Sequence, residues 1–363
     1  MTEWRVRRAG RMVRGCALVC VLGTALCAPA YAQTSAAAPA TARRLAGNPL
    51  ITVRSSPTLG GNVNGATVMR VPPWVQQPLG RYYMYFANHM GEAVRLAYAD
   101  APEGPWRIHE PGVLHVRETA LFREQPDPQG AIADFYTHVA SPDIFIDADR
   151  QRFVMWVHGW WTNGERWPST LAEARQWARE RGYAQFTQAA VSTDGLHFTV
   201  QPAITKTSYL RVFRRGDTYF ALSRLGLVSR ASDPLAAFEI GQSVFAGTPF
   251  AGRVRHVAIV PRGDTLQVWF TAIGDAPERV YRTAVDLRGD WTTWRAGAVA
   301  EVLLPEAGYE CTDLPNAPSE SGDIDGPAQQ IRDPFVFVEN DRAWLYYAVC
   351  GEQGIAAAEI PAP

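Results

Sequence analysis

The chain has 363 residues with 35 Lys plus Arg, 36 Asp plus Glu and 47% hydrophobic residues, giving a formal charge of −1 at pH 7. That balance lacks the basic excess that nucleic acid or an anionic membrane surface demands of a partner. Aromatic content is high, with 12 Trp, 13 Tyr and 15 Phe, and Lys206 is the sole lysine.

Residues 1–14 carry five Arg and one Glu, an apolar run CALVCVLGTALC follows at 16–27, and Ala30-Tyr31-Ala32 ends the segment. This order predicts a signal peptide over 1–32, because the run is too short for a membrane span. Its removal leaves 30 basic and 35 acidic residues in an exported, periplasmic or extracellular protein. Residues 33–47 read as a low-complexity, disordered leader, and 48–363 as one domain long enough for a large core. Of the five cysteines only Cys311 and Cys350 lie beyond the signal segment. In an exported chain they pair naturally as a disulfide, with two separate buried thiols as the alternative; two lone cysteines do not make a zinc site.

Short apolar or alternating runs closed by Gly, Asp or Asn turns then recur in groups. The first group covers 65–112. The second opens on SPDIFID and continues through FVMWVHG, QFTQAAVSTDG and LHFTVQP. The third covers 208–239, the fourth 256–297, ending in DWTTWRAG, and the fifth 332–360. Repetition of four-stranded units predicts an all-β, five-bladed β-propeller. A jelly roll or sandwich leaves the repeated strand–turn–strand order unexplained. One segment departs from it: PSTLAEARQWARERG (168–182) has helix formers and a Thr170-x-x-Glu173 capping box. It predicts a short helical insertion in blade two, either a lid or a surface decoration.

In a propeller the first strand of each blade lines the axis, so the residues that begin those strands converge. Here they are Asn62 and Asn64, His138 to Asp143, Tyr209 and Arg211, Arg255 and His256, and Arg332 and Asp333. Polar groups at the head of apolar strands need partners or a function, since burying them unpaired is costly. Set without gaps on blade five, Ser141-Pro142 falls on Asp333-Pro334, which leaves Asp143 and Asp333 non-equivalent. No HExxH, CxxC, P-loop or GxSxG pattern occurs, which removes support for zinc protease, nucleotide-binding and serine hydrolase chemistry.

The motifs NPLITV with GATVMRV and YYMYFANH, SPDIFID, GRVRHVAIV, AVSTDGLHF and AYADAPEGPW resemble the five-bladed propeller glycosidases related to glycoside hydrolase family 43, and more distantly families 117 and 130. The resemblance spans nearly all of 48–360. It implies a carbohydrate substrate and places Asp143 on the family's second-blade aspartate, which orients and tunes the acid. It also implies a first-blade aspartate base and a third-blade glutamate acid, where this chain has Asn64 and the carboxylate-free TKTSYLRVF.

Glycoside hydrolysis needs an acid for the leaving oxygen and a carboxylate that activates water or attacks carbon. Asp143, Asp333 beside Arg332, and Glu310 next to Cys311 are the candidate catalytic carboxylates. Asn64, His138, Arg211, His256, Arg332 and Trp161 are candidate sugar-binding residues, with Trp160 and Trp167 as further stacking rings. Asp275 and Glu278 in GDAPER follow a fourth-blade inner strand and Glu352 in CGEQG follows the equivalent strand of blade five; they read as turn acids, with reach to the rim of the site as the alternative. No cofactor is required, and a structural calcium or other divalent ion near His256 is admitted. The reading is a secreted glycoside hydrolase. Its competitor is a carbohydrate-binding propeller without catalysis, which applies if the carboxylates are mutually remote or sealed by ion pairs.

Overall fold

Strand-forming runs of 4 to 9 residues separated by tight turns fold here into antiparallel meanders, each on its own sheet. The structure is a computed structural model, and it describes residues 42–88, 91–122, 137–161, 170, 172–173, 176, 180, 185–322, 324 and 326–363. The signal peptide expected over 1–32 lies outside the described residues, as does Trp167.

Two short strands come first, β1 (Arg43–Arg44) and β2 (Ile51–Thr52). Blade one is β3 (Asn64–Arg70), β4 (Tyr82–Ala87), β5 (Ala93–Ala99) and β6 (Arg107–His115). Blade two is β7 (Ala140–Asp147), β8 (Arg152–Gly159), β9 (Phe186–Ser192) and β10 (Thr199–Thr205). Blade three is β11 (Arg211–Arg215), β12 (Thr218–Leu222), β13 (Leu227–Ala231) and β14 (Glu239–Ser243). Blade four is β15 (Val254–Arg262), β16 (Thr265–Ala272), β17 (Val280–Asp286) and β18 (Ala300–Leu303). Blade five is β19 (Ile331–Glu339), β20 (Arg342–Val349) and β21 (Gly354–Ile360), and β1 and β2 both pair with β21.

The expected five-bladed propeller is therefore the observed fold. The first strands β3, β7, β11, β15 and β19 contact one another in a closed ring and so surround the axis. Apolar packing is divided accordingly into five clusters, each shared by two neighbouring blades. Tyr83 and Phe153 meet between blades one and two, and Trp269 and Leu345 between four and five.

Two boundaries differ from expectation. The segment 33–47 is not all leader, because Arg43 and Arg44 pair with Glu359 and Ala358. Their strand completes a fifth blade that the C-terminal strands leave unfinished, and this joins the first described strand to the last. The fourth unit does not end in a DWTTWRAG strand. Asp290 accepts from the backbone N–H of Thr292 and winds Trp291–Thr293 into a 3-10 turn; Trp291 and Trp294 then plug the core, and the outer strand forms at 300–303.

In the blade-two insertion the described residues 172, 173, 176 and 180 are helical, and Thr170 Oγ1 accepts from the Glu173 N–H at 3.1 Å, as a cap does. Cys311 and Cys350 form the expected disulfide. Among the described residues no helix is long and apolar enough to cross a membrane.

Glu310 secures the blade-five closure. It is fully buried, receives Arg44 Nε at 2.8 Å and the Tyr347 hydroxyl at 3.0 Å, and accepts the backbone N–H groups of Glu306 and Ala307. Removing one partner of a buried ion pair strands the other charge, so Arg44→Ala is expected to cost about 3 kcal/mol of stability. Urea denaturation checks this; a loss under about 1 kcal/mol contradicts the role given to the pair.

Candidate functional site

Each first strand carries the same irregularity near its start. Register slips by one residue between Asn64 and Thr67, Ala140 and Asp143, Val254 and Val257, and Arg332 and Phe335. In blade three the Arg224 N–H bonds the Ser208 carbonyl while Arg211 pairs with Leu222, which is the same two-against-one bulge. The bulged residues Gly65, Ser141, Tyr209 and Asp333 all have positive φ, between 43° and 63°. Ser141-Pro142 and Asp333-Pro334 are thus structurally equivalent, as their sequences align. Gly65 is required twice over, by its φ of 63° and because a Cβ there would lie 2.7 Å from Ser141 Cα. The bulges of blades one and two therefore meet at the axis.

Two residues beyond each bulge stand Thr67, Asp143, Arg211, Val257 and Phe335, one from each blade. Arg211 gathers this layer. Its guanidinium donates to Thr67 Oγ1 at 3.1 Å, the Pro142 carbonyl at 2.9 Å, Asp143 Oδ1 at 3.2 Å and the Val257 carbonyl at 3.1 Å, and it lies 5.7 Å from the Phe335 ring centre. Asp143 Oδ2 also accepts the Val212 N–H at 2.9 Å. Burial pushes the Asp143 carboxyl above its ordinary value, opposed by Arg211 and by the Val212 N–H. The matching second-blade aspartate thus sits in a structural layer shared with Arg211.

A second buried network joins blades one, four and five. Glu352 accepts from Asn62, from Asn64 at 3.1 Å and from Arg332 at 3.1 Å, and Asn64 also bonds Asn62 at 2.9 Å. Arg332 reaches Gln330 and lies 3.4 Å from Glu278, whose other oxygen accepts Arg255 Nε at 2.9 Å. Burial alone would lower the Arg332 pKa, but Glu278 and Glu352 more than reverse it. Asn64 and Arg332 are engaged within the protein here. Glu278 and Glu352 had read as turn acids, yet both are fully buried. Their equivalent place, after the second strand of neighbouring blades, is visible in the sequence; their pairing with Arg255 and Arg332 is not.

The bulge layer itself holds a row of ring side chains. His138 lies edge-on to His158 at 6.2 Å, and Gln185 Nε2 is 3.3 Å from His138 Nε2. His158 lies 4.0 Å from Tyr209, and Tyr209 lies 4.1 Å from His256. His256 Nδ1 contacts Asp333 Oδ1, and both side chains are almost wholly buried. Burial and then the Asp333 charge push the Tyr209 phenol well up, so it stays protonated.

The structure therefore brings His256 and Asp333 into contact near the axis, with His138 at the far end of the ring row beyond His158 and Tyr209; it sets Asp143 and Arg211 in the next layer and places Glu310 with β1 at the blade-five closure. Trp161 packs on Phe186 at 5.1 Å, within the core between blades one and two. Among the described residues no group of three His, Cys, Asp or Glu is suited to a metal ion.

The Asp143 environment has a measurable sign. Its folded pKa lies above the ordinary 3.8, so folding takes up a proton in the window just above that value. Wild-type stability relative to Asp143→Asn should therefore rise as pH falls through this window. Paired denaturation curves from pH 7 to pH 4 read this difference; a difference that shrinks on acidification contradicts it.

No family model matches the chain. Solved structures resemble it over most of its length. One is from work reporting that the GH130 family of mannoside phosphorylases contains hydrolases targeting β-1,2-mannosidic linkages in Candida mannan: TM-score 0.57, 12% identity, covering 89% of this chain and 94% of that one. A glycosyl hydrolase of Bacteroides ovatus has TM-score 0.56 at 12% identity and covers 90% and 97%. The GH43_1 enzyme of Xanthomonas citri, complexed with xylose, has TM-score 0.53 at 10% identity and covers 89% and 90%. These likenesses establish the propeller fold of glycoside hydrolase families 43 and 130. Among curated proteins, the uncharacterized protein R118 of Acanthamoeba polyphaga mimivirus is 32% identical over 320 residues, 83% of this chain and 84% of that protein. A match of that identity and extent places the chain in the same protein family as this mimiviral protein.

Proposed function

We propose that the protein is an exported glycoside hydrolase whose chemistry lies at the axial bulge layer, with Asp333 and His256 as its proton-handling pair. The observation that carries the reading is the Asp333–His256 contact, a carboxylate–imidazole pair at the head of two first strands. Support also comes from the fold, shared with proteins described as glycoside hydrolases. The disulfide suits an oxidising compartment outside the cytoplasm.

Hydrolysis breaks the bond between the anomeric carbon and the leaving oxygen, delivers a proton to that oxygen and takes one from the attacking water. A proton shared by Asp333 and His256 serves both ends of this traffic. The imidazolium gives its proton to the leaving oxygen, and the pair regains one from water. Asp143, bound to Arg211 and the Val212 N–H, acts on this reading as scaffold.

A second reading, sugar binding without cleavage, is favoured by one observation. Two of the three carboxylates picked out from the sequence, Asp143 and Glu310, are engaged by arginines and backbone N–H groups. A reducing-sugar screen over plant, algal and bacterial polysaccharides separates the two. Wild-type protein should release reducing ends from at least one, and Asp333→Asn should lower that rate by about 100-fold or more. Cleavage unchanged by Asp333→Asn overturns the assignment; glycan binding without cleavage establishes the second reading.

A further inference from the structure

We infer that Tyr209 is a further ligand-contacting residue of the axial site, its hydroxyl donating a hydrogen bond to an oxygen of the bound sugar beside the one the Asp333–His256 pair serves. The inference rests on the carbohydrate reading above and adds to it a contact residue. Of the side chains in the ring row, His138, His158, His256 and Asp333 are all buried, whereas Tyr209 is partly exposed. Its ring is fixed from two sides, by His158 at 4.0 Å and His256 at 4.1 Å. Among the described residues no hydrogen bond joins its hydroxyl to another protein group, whereas Arg255, Glu278, Arg332 and Glu352 are bound to one another. Tyr209 also occupies the bulge position at φ 59°, a conformation costly for a bulky side chain and filled in blade one by glycine. Packing does not need a phenol there, since a phenylalanine gives the same ring contacts.

The surroundings fit a donor to neutral sugar oxygens. Burial, Asp333 and Glu352 push the phenol up and so keep its proton in place, opposed by the weaker pull of Arg224 and Arg255. Arg224 sits beside it through the bond from its N–H to the Ser208 carbonyl, while its guanidinium reaches Ser321 Oγ at 3.0 Å. A protonated phenol at the edge of a buried carboxylate–imidazole pair holds one sugar oxygen while the pair deals with the next.

The test compares wild type with Tyr209→Phe on the best substrate from the polysaccharide screen, together with thermal unfolding of both proteins. Loss of one hydrogen bond to substrate should lower kcat/KM by about tenfold, largely through KM, with an unchanged melting temperature. If the wild type binds glycan without cleaving it, the same factor is expected in Kd. A Tyr209→Phe protein that handles glycan like wild type overturns the inference and leaves the carbohydrate reading standing. A loss of activity that only parallels a loss of thermal stability assigns Tyr209 to packing and also overturns it. A wild type that neither binds nor cleaves any glycan overturns the carbohydrate reading, and this inference with it.

Discussion

One guanidinium holds the centre of this propeller. Arg211 comes from blade three, yet it bonds groups on blades one, two and four and stacks on a ring of blade five. Its partners are the register-equivalent residues of the other four blades, or backbone beside them. A charge so buried is tolerable only when its hydrogen-bonding capacity is nearly filled and a counter-charge is close. Asp143 provides that charge. The five first strands must therefore be placed in fixed rotation and height, because the bonds at Arg211 fail if any blade shifts.

From that layer the rest of the axis follows. A bulge in each first strand turns one residue per blade toward its neighbours, and the five positions can vary without disturbing the layer beneath. Blade one has glycine there, where space forbids more, while blades three and five present Tyr209 and Asp333. The Arg255–Glu278–Arg332–Glu352–Asn64 network then ties blades four, five and one around the same region. Polar groups that cost stability in an ordinary core are satisfied here by partners from other blades.

Much of the fold was legible in the sequence because its determinants are local. Strand–turn–strand periods, the repeat that aligns Ser141-Pro142 with Asp333-Pro334, and the two remaining cysteines all act over short stretches or by elimination. The site was legible only as a set of polar strand heads. Asp143 stood out by its resemblance to a family aspartate, but nothing local reveals that Arg211, nearly seventy residues away, would bind it. Glu278 and Glu352 sat in sequences typical of turns, GDAPER and CGEQG, and only the convergence of two blades makes them core residues. Glu310 looked like a loop acid near the site until Arg44, from a segment read as leader, came to pair with it. In each case the deciding contact joins elements far apart in the chain, which periodicity cannot report.

The central claim is that the bulge layer around Tyr209, His256 and Asp333 is where this protein meets a sugar. A crystal structure with the oligosaccharide released or bound in the polysaccharide screen tests it most directly. Sugar density is expected at the axis, with an oxygen within about 3.2 Å of the Tyr209 hydroxyl and the reacting end toward Asp333 and His256. Density confined to a blade edge or an outer cleft, with the axial residues untouched, would contradict it.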